Sequence, residues 1–161
     1  MKTLAEAFHH TLQDIYYAEN AMVKALPKVA AAAVNADFKA VVAAHLAETK
    51  QQIAILDKVF ASIKEKPVGL KCDAIDGLIK ETEGLMTEAS GVALDACLIA
   101  AAQAVEHYEI ARYGTLREWA KVLGHTAAHD LLSEILDMEK AANSKLTSIA
   151  VASVNKVKLA A

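Results

Sequence analysis

Proline and glycine are scarce, with 2 and 6 among 161 residues, and β-branched residues rarely alternate with polar ones. Little in the chain would end a helix, Ala is abundant, and the composition favours helix throughout. Arginine occurs only as Arg112 and Arg117, the net charge is −3 and the pI is near 6.1. No basic stripe is available for phosphates, which argues against a nucleic-acid partner. Long hydrophobic runs are also missing. The longest, Ala96 to Ala102, is far too short to cross a bilayer, and the Met1-Lys2-Thr3-Leu4-Ala5-Glu6 start is charged where a signal peptide needs its apolar core. The two cysteines, Cys72 and Cys97, form no ligand motif and no disulfide framework. The expectation is a soluble cytoplasmic protein with no membrane partner, folded as a single domain over residues 1–161.

What the chain does contain is a repeated helix face. Leu94, Leu98, Ala102, Val105, Glu109, Arg112 and Leu116 follow the three- and four-residue steps of one buried stripe, and Leu4, Phe8, Leu12, Ile15, Glu19, Met22 and Leu26 repeat those steps 90 positions earlier. A carboxylate occupies an inward position in both. Two inward glutamates at equivalent points suggest a duplicated hairpin with a charged centre.

In chain order, a first helix is predicted from Thr3 to Ala33, with Thr3 and Glu6 as a capping box and Pro27 causing a kink or a change of pitch. The second, capped by Asp37, runs from Phe38 to Lys64 with Phe38, Val41, His45, Glu48, Gln52, Leu56, Val59 and Ile63 inward. After Lys66-Pro67-Val68-Gly69 a weaker amphipathic helix spans Asp73 to Ala89. The third long helix covers Val92 to Leu123 and stops at Gly124. The fourth, Thr126 to Val154, turns Leu131, Ile135, Glu139, Ala142, Leu146 and Ile149 inward, before a frayed tail from Asn155 to Ala161. Two hairpins, 3–64 and 92–154, joined by a crossover over 65–91 that contains the additional short helix, describe an all-α four-helix bundle.

Counting from the hairpin tips puts Glu19 with Glu48, and Glu109 with Glu139, each pair within roughly a turn of the same height, so that the four carboxylates should converge. Four carboxylates converging in an apolar interior repel one another, and burying even one costs several kcal/mol without compensation. The bland alternative is pairing with a core cation, but the nearest is Arg112, and one arginine cannot satisfy four acids. Two divalent ions can. His45 lies three residues before Glu48, and Glu106 three before Glu109, so the candidate metal ligands are Glu19, His45, Glu48, Glu106, Glu109 and Glu139. Asp14 falls on the opposite flank from Glu19. Tyr16, Tyr17, Tyr108 and Tyr113 are read first as packing residues whose hydroxyls reach the interface, and His107, His9, His10, His125 and His129 are left outside the site.

The segments Leu12-Gln13-Asp14-Ile15-Tyr16-Tyr17-Ala18-Glu19, His45-Leu46-Ala47-Glu48-Thr49, Lys71-Cys72, Gly77-Leu78-Ile79, Glu106-His107-Tyr108-Glu109-Ile110-Ala111, Tyr113-Gly114-Thr115-Leu116 and Glu139-Lys140-Ala141 closely resemble the YciF family of bacterial ferritin-like stress proteins. The similarity runs from Lys2 to Ala150. It implies a ferritin-like four-helix fold, a homodimer, and a di-metal centre held by the six residues above, in a family whose reaction is undefined. The family pattern usually carries acids where this chain has Met138 and Asn143, a departure that lowers metal affinity if either acid supports the centre.

Two functions follow from these readings. The first is a redox enzyme in which a carboxylate-bridged pair of iron or manganese ions acts on dioxygen or peroxide, or oxidises ferrous iron, as a peroxidase, catalase-like enzyme or ferroxidase. Oxygen-rich ligation suits both metals, with iron placed ahead of manganese. The second is a non-catalytic stress or interaction protein with a structural metal or carboxylate network, using Ile99, Ile110 and the crossover helix as interface material.

Overall fold

Thr3 opens the first helix by the reciprocal bonds of a capping box: its hydroxyl accepts from the Glu6 N–H at 3.1 Å, and the Glu6 carboxylate accepts from the Thr3 N–H at 3.2 Å. In this computed structural model, which describes residues 1–156, α1 then runs from Leu4–Ala32 straight through Pro27. A proline removes one donor without ending a helix when packing holds both sides. Helix α2, Ala36–Ser62, is capped by Asn35, whose side-chain oxygen accepts the Phe38 N–H at 3.0 Å. The sequence placed this cap at Asp37; both residue types are good caps, and local pattern does not separate positions two apart.

Asp95, buried near the start of the long helix that follows the crossover, accepts the Val34 and Asn35 N–H groups at 2.8 and 2.7 Å and so satisfies the short link between α1 and α2. Beyond α2 a stretch without regular secondary structure, residues 65–72, returns to α1. Leu70 N–H donates to the Gln13 carbonyl at 3.0 Å, and a Cβ at Gly69 would lie 3.2 Å from Tyr17, so the smallest residue marks a close approach to α1. Helix α3, Asp73–Glu88, buries only Ile75 and lies on α1 and on the long helix that follows.

Helix α4 covers Gly91–Val122 and ends at Gly124, whose φ of +75° supplies the left-handed turn. Helix α5, Thr126–Ile149, widens into a π-helical turn over Ala150–Val154, closed by the Asn155 N–H on the Ala150 carbonyl at 2.8 Å. The sequence placed one uninterrupted α-helix there. Of the tail expected to fray, residues 157–161 lie outside the described residues.

Helix α1 packs against α2 and α4, and α5 packs against the same two, so the long helices close a cycle around one interior. Among the described residues there are five α-helices and no strand. Phe8, Leu12, Ile15, Phe38, Leu56, Phe60, Leu98, Tyr113, Leu116, Leu132 and Ile135 are fully buried, each side chain contributing about 1.5–3 kcal/mol of transfer free energy. Ile99, expected at an interface, is in the core instead, on the side of α4 where Gln103, one turn on, reaches Asn143 and Thr147 of α5.

Candidate metal centre

Each long helix delivers an acid or an imidazole to the middle of this interior. Glu19 comes from α1, His45 from α2, Glu106 and Glu109 from α4, and Glu139 from α5. All five are buried, Glu139 with no exposed surface and Glu19 with 1%. One ligand atom each from His45, Glu106, Glu109 and Glu139 lie within 4.8 Å of one another. His45 Nε2 is 3.2 Å from Glu106 Oε1, and the Gln52 amide donates to Glu139 Oε1 at 2.9 Å.

The other two sequence-proposed ligands stand differently. Glu19 is buried beside the group, and its carboxylate accepts the Tyr113 hydroxyl. Glu48 keeps 30% of its side chain exposed, approaches His45 Nδ1 at 3.6 Å and pairs with Lys145 at 2.7 Å. The expected inward face of α2 holds at Phe38, His45, Gln52, Leu56 and Val59, which are buried, and shifts by one residue at two places: Val42 and Thr49 are buried, whereas Val41 and Glu48 sit at its edge.

A similar shift on α4 brings in a residue that the face reading passed over. Tyr113, not Arg112, occupies the interior and reaches Glu19 from about one turn beyond Glu109. Arg112 leans outward over the Tyr108 ring, 5.1 Å from its centroid, and lies 3.6 Å from Asp14. It therefore does not neutralise the central acids. Asp14 instead accepts the Tyr108 hydroxyl at 2.7 Å, outside the cluster.

Burial governs the charge state of the centre. It holds Glu19, Glu109 and Glu139 well above the ordinary carboxylate range, with the neighbouring acids adding to the effect. Glu106 is pushed up to about 8, again chiefly by burial. Burial also lowers the imidazole of His45, favouring its neutral, metal-binding form. Without a counter-charge, the group holds protons at neutral pH.

Five buried side-chain atoms here have no hydrogen-bond partner: His45 Nδ1, Gln52 Oε1, Glu106 Oε2, Glu109 Oε1 and Glu139 Oε2. Buried polar atoms are normally paired. An orphaned imidazole nitrogen together with three orphaned carboxylate oxygens is the donor set expected for a borderline or hard divalent cation, so the residues present fit a metal ion.

The fold and this cluster define an all-helical protein whose interior glutamates and histidine can hold metal. Residues 3–158 match the family described as "Domain of unknown function (DUF892)". Protein YciF of Escherichia coli (strain K12) is 46% identical over 159 residues, covering 97% of this chain and 95% of YciF. The crystal structure of the E. coli stress protein YciF superposes with a TM-score of 0.92 at 45% identity, over 98% of this chain and 100% of that one. YcfI of Rhodopseudomonas palustris, provisionally described as a structural protein, gives a TM-score of 0.88 at 48% identity, over 98% and 96%. The chain belongs to the DUF892 family, with the YciF stress proteins. Among the described residues, no helix is long and apolar enough to cross a membrane.

Proposed function

We propose that the chain is a ferritin-like, cytoplasmic stress-response protein whose interior holds two divalent metal ions, iron ahead of manganese, and which acts on dioxygen or peroxide or oxidises ferrous iron. One observation carries the reading: ligand atoms of His45, Glu106, Glu109 and Glu139 lie within 4.8 Å of one another, and each of these side chains keeps a buried atom without a partner, in a region that burial would otherwise keep protonated. Glu19, His45, Glu106, Glu109 and Glu139 would hold the ions, with Glu48 joining from the edge. Binding would release the protons retained by the carboxyls. Such a metal pair supplies Lewis acidity and one-electron redox steps.

The chain's own residues set the conditions for that chemistry. Gln52 orients Glu139 through its amide, and Tyr113 does the same for Glu19 through its hydroxyl. The Tyr113 phenol, kept protonated by burial, is a proton source on the Glu19 side. Leu12, Ile15, Leu116 and Ile135 exclude bulk water from the surrounding core. The test is turnover of peroxide or ferrous iron by metal-loaded protein, abolished in Glu109→Ala; metal occupancy without turnover of either would defeat the catalytic part of the proposal.

A second reading, a non-catalytic dimeric stress or interaction protein whose metal site or carboxylate network is structural, takes its support from the description of the R. palustris relative as a structural protein, which names no reaction. Melting with and without chelator separates the two. A large metal-dependent stabilisation without any turnover selects the second.

A further inference from the structure

Between the glutamate layer and the α1–α2 link lies a cavity of about 60 Å³. Met22, Leu26, Val42, Leu98, Ala102 and Leu146 wall it, and the crossover helix closes one side through Ile79 and Met86. No Phe, Tyr or Trp lines it among the described residues. Its polar end is formed by His45 and Glu106, and the ion pairs Lys28–Glu83 and Lys145–Glu48, each 2.7 Å, lie at its margins. The cavity thus meets the centre where two nearly buried side chains keep unpartnered atoms, His45 Nδ1 and Glu106 Oε2.

We propose that this cavity is the binding and entry site for dioxygen at the centre, and that it discriminates against peroxide. The inference rests on the metal-centre reading and names the oxidant which that reading leaves open. Size narrows the ligand. By the same kind of measure one water needs about 10–15 Å³, so the space is ample for a diatomic molecule and holds only a few of that size.

Polarity selects among small oxidants. A hydroxyl taken from water without a compensating hydrogen bond loses roughly 2–7 kcal/mol, and peroxide carries two. Peroxide finds partners at the margin, on Thr82 and the two ion pairs, and at His45 and Glu106, but none along the aliphatic wall of Met22, Leu26, Val42, Leu98, Ala102 and Leu146. Dioxygen has no such hydrogen bonds to give up, and dry apolar cavities retain apolar atoms and molecules of its size.

Xenon, an apolar probe of comparable size, reports the cavity independently of metal. Crystals of metal-free protein under xenon pressure are expected to show xenon between Leu98 and His45, and Ala102→Phe to lose it. In iron-loaded protein, Ala102→Phe should slow consumption of dissolved dioxygen about tenfold or more, a barrier change of about 1.4 kcal/mol, while iron content and the reaction with peroxide stay at wild-type levels. Leu98→Ala, which enlarges the space, should raise xenon occupancy and keeps the test available if the phenylalanine variant does not fold. Absence of xenon from the wild type, or wild-type oxygen consumption in a folded Ala102→Phe protein, overturns the proposal. Failure to take up iron at all overturns the metal reading itself, and does so separately because xenon is read on metal-free protein.

Discussion

Raising the pH should destabilise the metal-free protein across a range in which most folded proteins change little. Glu106 carries a carboxyl lifted from 4.5 to about 8 by burial. Between those values the folded state keeps a proton that the unfolded chain has lost, so stability falls as pH rises. At about 1.4 kcal/mol per pH unit, the full effect of Glu106 alone approaches about 5 kcal/mol. Glu19, Glu109 and Glu139 act in the same direction, but neighbouring acids share protons, and their effects do not add as independent groups. His45 opposes them below its ordinary value of 6.5, because burial lowers it and the unfolded chain then binds the extra proton. From pH 6.5 to 8 that opposition is gone, and Glu106 alone predicts a loss of about 2 kcal/mol. For a chain of this size that is a fall of roughly 4–8 °C in Tm. Calorimetry on chelator-treated protein measures it, and Glu106→Gln, which cannot ionise, should flatten the slope. A metal-free Tm that is constant or rises over this window would refute the protonated-cluster argument.

Other consequences follow from the same contacts. Tyr113→Phe leaves the Glu19 carboxyl without its hydroxyl donor and should cost about 1–3 kcal/mol, read by urea unfolding of metal-free protein. Glu48→Ala should weaken manganese binding less than Glu109→Ala does, because Glu48 is partly solvated and already paired with Lys145; titration calorimetry compares the two. Leu132→Ala, at a fully buried site away from the acids, should lower stability by about 2–5 kcal/mol while leaving metal content unchanged.

The parts of the site legible in the sequence were those set in strong apolar stripes. Glu19 and Glu109 interrupt such stripes with the same steps, so their inward placement follows from the pattern, and the structure buries both. The interior of α2 is less legible because His45, Thr49 and Gln52 are all buried polar groups. With so little apolar contrast, nothing in the pattern decides between Glu48 and Thr49, and tertiary packing turns Thr49 inward. On α4 the spacing admitted Arg112, but a long guanidinium reaches Tyr108 and Asp14 while the adjacent Tyr113 fills the interior. Asp95 was missed for another reason. Its role is to satisfy two backbone N–H groups about sixty residues away, and no local periodicity carries that information.

Metal content tests the central claim most directly. Protein purified without chelator or nickel affinity would be measured by mass spectrometry, wild type beside Glu109→Ala, before and after anaerobic loading with ferrous iron or manganese. The proposal expects about two ions per wild-type chain, in keeping with carboxylate-bridged metal pairs in helical bundles, and their loss in the variant. A wild-type protein that stays metal-free after loading would contradict it and leave the buried glutamates as a proton-sharing structural network.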